Sequence, residues 1–482
     1  MKKNELSLHQ ALFEDFGFYK DRIVAYSKTQ AYTHQDFTDS IKALALYLLK
    51  EKEIKSIAVC VENAYTFSIV FIAAMYAGKT PVLLGNITAH TFDEIETKAD
   101  MVISDLNLTE TAVQPAVPSA NITELLETAD NEYRVLAQKD RDAFNSQYFS
   151  TLEDNSPIVF YTSGTTGKSK RVNKSLKSMQ IDIACSFELS DSLESIEGLR
   201  LISTVPPYHM YGLTYRIFMP ILRHLPMTTY MVRYPEELSN YSMPLVLVSS
   251  PAFIKRLDTK IKAPDIRLCI SAGSPLPDEA ALSFYNWCQC AVTEIYGSTE
   301  SNSMAHRDNR GDKPLFIPFS AVKFVKIEDG YKLDSLMSDG YSRIDDNLEF
   351  EGPHFRITGR KDKIVKIEEN RVSLTQIENL LKKNPIIEDA VALVITKNQR
   401  TCIGAVCILK EQTAKKDTAQ YTDNSVENIT ADRKAVVMTL REYLRGYLPA
   451  VAIPRYFRFV KRIPVNHMGK RITPLLEELF ND

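Results

Sequence analysis

Thirteen consecutive residues, Ile158 to Lys170, read I-V-F-Y-T-S-G-T-T-G-K-S-K and hold the groups that polyphosphate chemistry requires. Gly164 and Gly167 let backbone N–H groups come close to a ligand. The hydroxyls of Thr162, Ser163, Thr165 and Thr166 can donate to phosphate oxygens, and Lys168 and Lys170 add positive charge. A P-loop of the form G-x-x-x-x-G-K-[ST] needs glycine five positions before Gly167, where this chain has Thr162, so that reading fails on spacing. The competing reading of the loop by itself is a solvated turn. Four apolar or aromatic residues, Ile158 to Tyr161, come first, so the pattern predicts a buried strand that passes at a sheet edge into a polar loop over Thr162–Lys168.

The run [YF]-T-S-G-[TS]-T-G-x-x-K is far longer than most short motifs. It resembles the phosphate loop of the adenylate-forming superfamily, which contains acyl-CoA synthetases, peptide-synthetase adenylation domains and luciferases. Further clusters follow in that family's order. Pro206-Pro-Tyr-His-Met-Tyr-Gly212 resembles the acyl-site motif, with Tyr208 and His209 flanking the carboxylate pocket. Amino-acid-activating members carry an aspartate in this region to pair with the α-ammonium. Its absence argues against an α-amino acid, because a buried ammonium without a counter-ion is costly. Ser271-Ala-Gly-Ser-Pro-Leu276 is similar to the loop beside adenine, which implies nucleotide contacts for Ala272, Gly273 and Ser274.

In Glu294-Ile-Tyr-Gly-Ser-Thr-Glu300 the resemblance implies that Tyr296 stacks on adenine, that Gly297 and Thr299 border the α-phosphate, and that Glu300 binds Mg²⁺. It places ribose recognition on Arg360 and an upstream aspartate, with two candidates. The strand register after Asp346 favours Asp346, whereas a gapless count back from Arg360 favours Asp345. Asp362 matches the hinge about which two domains swivel. Lys470, in Pro464-Val-Asn-His-Met-Gly-Lys470, matches the lysine that enters the active site during adenylation.

The elements that must position these residues read as βαβ grammar. Apolar residues at helical spacing over Phe37–Lys50, a β-rich run over Ser56–Val61, an apolar helix over Tyr65–Ala77 ended by Gly78, and a strand over Pro81–Leu84 argue for parallel sheet covered by helices. A helix over Ser175–Leu189 and strands over Arg200–Val205, Pro244–Ser249 and Ile266–Ser271 continue the pattern. His209 then falls in a loop past a strand end, where open α/β sheets place ligands. Farther on, Ser373 caps a helix to Lys383, strands are expected over Ala390–Ile395 and Thr401–Leu409, and the polar run Glu411–Arg433 reads as an exposed, mobile insertion. The expected fold is α/β. Residues 1–361 form a large AMP-binding domain of mixed sheets flanked by helices, and residues 362–482 a small mobile α+β lid.

Composition excludes several classes. The 482 residues carry 58 basic and 61 acidic side chains, net −3, which offers no global field for nucleic acid. No apolar core follows Lys2 and Lys3, and the apolar run Phe67–Ala77 is too short to span a bilayer, so neither a signal peptide nor a transmembrane segment is expected. Seven cysteines, an odd number, fit reduced thiols and a cytoplasmic protein. Cys288-Gln-Cys290 has no neighbouring histidine to suggest a metal site.

The resemblance implies a two-step, AMP-forming acid–thiol ligase. It uses ATP and Mg²⁺ to activate an aryl or fatty acyl carboxylate, with catalysis by Lys470, Thr166, Lys168 and His209. The expected acceptor is the phosphopantetheine thiol of an acyl carrier protein, with free CoA as the alternative, and the protein is expected to be a monomer or homodimer. Arg171, where many relatives have glycine, and the glycine-free segment Val365–Leu374 set this chain apart, and they resemble compact AMP-ligases of aryl-polyene and fatty-acid-like pathways. A catalytically silent ATP- or AMP-binding sensor is the reading from a different class; it predicts loss of Lys470, Glu300 or the Thr/Gly loop, all of which are present.

Overall fold

The computed structural model describes residues 7–14, 19–84, 95, 98–105, 117–163, 169–190, 198–328, 330–337, 342–360, 363–367, 370–397, 400–410, 433–448, 450–465 and 471–481. Contacts divide the chain into two compact units, Met1–Val325 with Lys332–Ser342, and Lys326–Tyr331 with Arg343–Asp482. By packing, residues 343–361 therefore belong with the C-terminal unit. The 361/362 domain junction expected from sequence lies inside this second unit.

The first unit is built on two sheets. One has six strands in the order Ser119–Asn121, Met101–Ser104, Ser56–Cys60, Thr80–Leu83, Pro157–Ser163, Ser169–Ser175. Its first five strands run parallel, and the last returns antiparallel as a hairpin. Burial explains the helices that cover it. His34–Lys50 turns Phe37, Ile41, Leu44 and Leu48 inward behind a Thr33–Asp36 capping box. Ala64–Tyr76 is buried nearly all round and capped by Asn63, and it stops where Gly78 takes a left-handed φ of +67°.

The second sheet has nine strands, of which Ile23–Tyr26, Met227–Thr228, Arg200–Ser203, Leu245–Ser249, Ile266–Ser271 and Val292–Ser298 are consecutive parallel neighbours. Leu245–Ser249 is buried at every position, as a strand covered on both faces must be. Parallel strands share one carboxyl edge. The segments after Ser203, Ser271 and Ser298 all leave from it.

The second unit packs helices Leu374–Lys383 and Arg433–Arg445 on a sheet of Ile387–Lys397, Arg400–Leu409 and Tyr456–Phe459, through Ile377, Leu381, Ile387, Ala405, Leu440 and Leu444. Ser373 caps the first helix by accepting from the Gln376 amide at 3.2 Å. Arg433, read from sequence as the end of a polar insertion, opens the second helix. Its side chain donates to the Phe457 carbonyl at 3.0 Å, and Leu440 and Leu444 supply the buried face. Residues 411–432 lie outside the described residues. None of the described helices is long and apolar enough to cross a membrane.

Candidate active site

The phosphate-loop strand runs two residues farther than its apolar run, to Ser163, because Ser169–Ser175 pairs with it in register from Pro157↔Ser175 to Ser163↔Ser169. Thr162 is thus a strand residue, and the sheet edge is the second strand of the hairpin. Gly164, Thr165, Thr166, Gly167 and Lys168 lie outside the described residues, as do Asp362 and Lys470. Ser163 and Arg360 are described in their backbone alone.

The hairpin's return strand meets the acidic motif. Lys170 Nζ lies 2.9 Å from Glu300 Oε1, both side chains being well exposed. Lys174, 8 % exposed, donates to the Glu300 carbonyl at 2.7 Å and to Asn302 Oδ1. Desolvation raises the Glu300 carboxyl, but the hydrogen bonds from Lys170, the Glu300 backbone and Ser298, with the Lys170 charge, together outweigh it, so Glu300 ionises below the ordinary range. The turn that presents Glu300 is tight. Gly297 sits at a bulge in the Val292–Ser298/Asn302–Asn309 pairing, and a Cβ there would lie 2.3 Å from the Asn302 carbonyl oxygen. The Ser298 and Ser301 hydroxyls lie 3.0 Å apart, and each accepts from the other's backbone N–H at 3.1 and 3.2 Å.

Glu294 fixes the Ser271–Leu276 loop, expected to lie beside adenine, to the same strand. Buried at 5 % exposure, it pairs with Arg307 at 2.8 Å and accepts from Asn309 Nδ2 at 2.7 Å and from the Leu276 amide at 3.1 Å. Ala272, Gly273 and Ser274 lie between Ser271 and that anchor, with Gly273 at φ +99° and exposed. Tyr296, half-buried, faces Phe316 at 5.8 Å, and the Arg307 guanidinium lies 4.5 Å over the Phe316 ring.

His209 follows the strand end at Ser203 and is half-buried beside the buried Tyr208, their rings 5.2 Å apart. The helical segment after it is anchored by Tyr211 and Gly212 of the same motif and by Arg216, which sequence reasoning missed. Tyr211 donates its hydroxyl to the Ser249 and Ile270 carbonyls at 3.0 and 2.8 Å, at the ends of two neighbouring strands. Gly212 packs so closely that a Cβ would lie 1.9 Å from the Pro206 carbonyl oxygen. Arg216, fully buried in a π-helical stretch over Leu213–Phe218, donates to the carbonyls of Val205 at 2.7 Å and Thr229 at 3.4 Å. Desolvation brings its pKa down to about 10, so it stays charged at neutral pH. The one available sequence signal was a charged residue inside the apolar run Leu213–Leu222.

In the second unit Asp346 pairs directly with Arg360 across the Asp346–Glu351/His354–Arg360 hairpin. An unbroken register from Leu348↔Ile357 would set Asp345 there; the irregularity at Thr358 brings Asp346 opposite instead. The C-terminal lysine motif is pinned on its flanks: Val465 bridges Arg471, and the Ile472 amide donates to Pro464 at 3.2 Å. Arg471 reaches Asp389 at 2.8 Å, and Lys363, next to the expected hinge, meets both oxygens of buried Glu378 at 2.8 Å.

The first unit thus gathers, past the carboxyl edge of one sheet, a set of small and aromatic residues, a histidine loop and Glu300, whose carboxylate meets Lys170 and whose backbone carbonyl meets Lys174, both from the hairpin of the other sheet. Such a site is suited to activating a carboxylate with a nucleoside triphosphate. The AMP-binding enzyme family matches residues 13–328. A 4-coumarate–CoA ligase of Rhodobacter capsulatus is 24 % identical over 332 residues, covering 67 % of this chain and 78 % of that protein. A D-alanine–D-alanyl carrier protein ligase of Staphylococcus aureus is 27 % identical over 138 residues, 28 % of this chain and 25 % of that protein. The crystal structure of ATP-bound MatB from Rhodopseudomonas palustris superposes with a TM-score of 0.74 at 17 % identity, covering 100 % of this chain and 99 % of that one. The chain belongs to the AMP-binding enzyme family of adenylate-forming acid–thiol ligases, with that family's α/β fold and separate C-terminal domain.

Glu300 fits the part of a magnesium ligand. Mg²⁺ needs only one or two protein carboxylates beside water and phosphate oxygens. The Lys170 ion pair that now occupies Glu300 is exposed and worth about 0–1 kcal/mol, so a divalent cation can displace it.

Proposed function

We propose that this ligase activates an aryl or fatty acyl carboxylate in the cytoplasm and passes it to the phosphopantetheine thiol of an acyl carrier protein, with free CoA as the nearer alternative acceptor. The observation that carries the proposal is the shared carboxyl edge. From it leave the Tyr208–His209 loop, the Ala272–Ser274 loop and the Tyr296–Glu300 segment, with Lys170 of the phosphate hairpin on Glu300. Likeness to a 4-coumarate–CoA ligase supports an aryl acid among these, and likeness to a D-alanyl carrier protein ligase, together with the chain's own departures at Arg171 and Val365–Leu374, supports the carrier-protein acceptor.

In the first step a carboxylate oxygen attacks the α-phosphorus of ATP, the bond to the β-phosphate bridge breaks, and pyrophosphate leaves with the acyl-adenylate formed. Carboxylate and triphosphate repel by about 4 kcal/mol at 4 Å in a protein-like dielectric, so cations must intervene. Lys470 and Lys168 supply charge, Thr162, Ser163 and Thr166 donate to phosphate oxygens, and Gly164, Thr165 and Gly167 offer backbone amides. Glu300 would hold Mg²⁺, whose charge, when it is bound, offsets that of the phosphate oxygens. Tyr296, Gly297, Thr299, Ala272, Gly273 and Ser274 bind base and α-phosphate, Asp346 and Arg360 the ribose, and His209 borders the acid.

In the second step the thiol sulfur attacks the acyl carbonyl, its proton is lost, and AMP departs. A swivel at Asp362, carrying residues 362–482 as a lid, separates the two steps. Hydroxamate trapping across benzoates, cinnamates and fatty acids, followed by thioester formation on holo carrier protein and on CoA, tests the proposal. It predicts trapped product with one acid class and a higher kcat/KM for the carrier protein; trapping with none of the acids would refute it.

A further inference from the structure

Beneath Glu300 lies a buried arrangement that the reaction scheme leaves unused. The Asn302 side-chain amide stands between two oppositely charged groups, with its oxygen accepting from Lys174 and its nitrogen donating to Asp182 Oδ2 at 3.4 Å. Asp182, with 0 % exposure on helix Leu176–Ser190, also accepts from the Ser303 amide at 3.1 Å through Oδ1 and from the Thr214 hydroxyl at 3.0 Å through Oδ2. Lys174 completes the chain on the Glu300 carbonyl at 2.7 Å. Ser303 is held a second time, by the Tyr215 hydroxyl at 3.2 Å.

Three segments meet here: the return strand of the phosphate hairpin through Lys174, the turn after Glu300 through Asn302 and Ser303, and the helical segment behind His209 through Thr214. A carboxylate buried this deeply costs several kcal/mol unless its partners are well made. Asn302 also holds a left-handed φ of +60°, a conformation uncommon for a side-chain-bearing residue that persists only where the surroundings enforce it. The expense is concentrated two and three residues from Glu300.

We propose that Asp182, acting through Asn302 with Lys174, is a positioning residue that sets the Glu300 carboxylate for the divalent cation carried by ATP. It rests on the reading of Glu300 as the magnesium acid, and it extends that reading to residues outside the motifs. Buried groups that orient a metal-binding carboxylate typically cost about 10- to 100-fold in metal affinity when removed.

The test is titration calorimetry of the full chain with ATP, once with Mg²⁺ and once with EDTA, in the absence of any carboxylic acid. Asp182→Asn is expected to lose about ten-fold of the Mg²⁺-dependent gain in ATP affinity while binding metal-free ATP as the wild type does. Because Asp182 acts through Glu300, the double variant Asp182→Asn/Glu300→Gln should be no worse than Glu300→Gln alone. Lys174→Met should behave as Asp182→Asn does, and Lys174→Arg should restore part of the gain; this pair decides the matter if Asp182→Asn does not fold. Additive losses, or a full Mg²⁺-dependent gain in Asp182→Asn or Lys174→Met, would overturn the proposal. A Glu300→Gln variant that keeps the whole gain would instead remove the magnesium assignment on which it rests.

Discussion

Replacing Gly212 by alanine tests whether close packing of the helical segment on Pro206 holds the His209 loop. The backbone at 212 is helical, so alanine by itself would favour the fold by about 1 kcal/mol. Against this, the new Cβ would lie 1.9 Å from the Pro206 carbonyl oxygen, 3.0 Å from its carbonyl carbon and 3.2 Å from Pro207 Cα, all backbone atoms of a stiff Pro-Pro pair. Relief requires the Pro206 carbonyl to move by about 1 Å, and overpacking of that kind costs about 1–3 kcal/mol. With the obstacle rigid, the upper end applies, and the net loss should be about 2 kcal/mol.

The displaced segment carries Tyr208 and His209, where a shift of about 1 Å can cost up to ~100-fold in rate. Chemical denaturation and steady-state kinetics of Gly212→Ala should therefore show an earlier unfolding transition and a fall in kcat/KM for the carboxylate, with the ATP KM nearly unchanged. Gly446→Ala is the matched control, since the nearest atom to its Cβ lies 3.4 Å away. A Gly212→Ala enzyme as stable as that control, with unaltered kcat/KM for the acid, would refute the reasoning.

Two further outcomes follow from the structure. Asp346→Ala should raise the ATP KM at least several-fold and Asp345→Ala should not, because Asp346 is the residue opposite Arg360; equal effects in steady-state assays would contradict the assignment. Burial pushes the thiols of Cys60, Cys185, Cys290 and Cys407 up to about 12. The folded state therefore keeps its protons above pH ~8.5, where unfolded thiols ionise, so this contribution to stability is full at neutral pH and negative slopes set in only as pH rises past ~8.5. Disulfide-exchange labelling at pH 8 should reach at most Cys288 and Cys402, the two half-buried thiols, until denaturant is added; prompt labelling of more would count against the packing.

The parallel-sheet strands were legible because continuous apolar runs bounded by polar turns leave few alternatives: Ile266–Ser271 was expected and found at those limits. Helices Ile122–Val135 and Gln138–Tyr148 escaped notice. Gln138–Tyr148 buries only Phe144, so its apolar spacing carries almost no signal. Thr162 and Ser163 belong to the strand because the pairing partner, not local propensity, decides where a strand stops. The Asp345/Asp346 question turns on one irregular residue, Thr358, which sets Asp346 opposite Arg360 and which no spacing count anticipates. Asp182 was invisible for a different reason: its partners Thr214, Asn302 and Ser303 stand 32, 120 and 121 residues away, so nothing local marks it as more than a polar residue in an apolar helix.

The central claim is that this chain joins a carboxylate to the α-phosphate of ATP with Lys470 as the delivered cation. Carboxylate-dependent ATP–pyrophosphate exchange measures that step alone. The wild type should exchange with an acid found by trapping, and Lys470→Ala should not, while still transferring the acyl group from a preformed acyl-adenylate to the thiol. Normal exchange in Lys470→Ala would contradict the account.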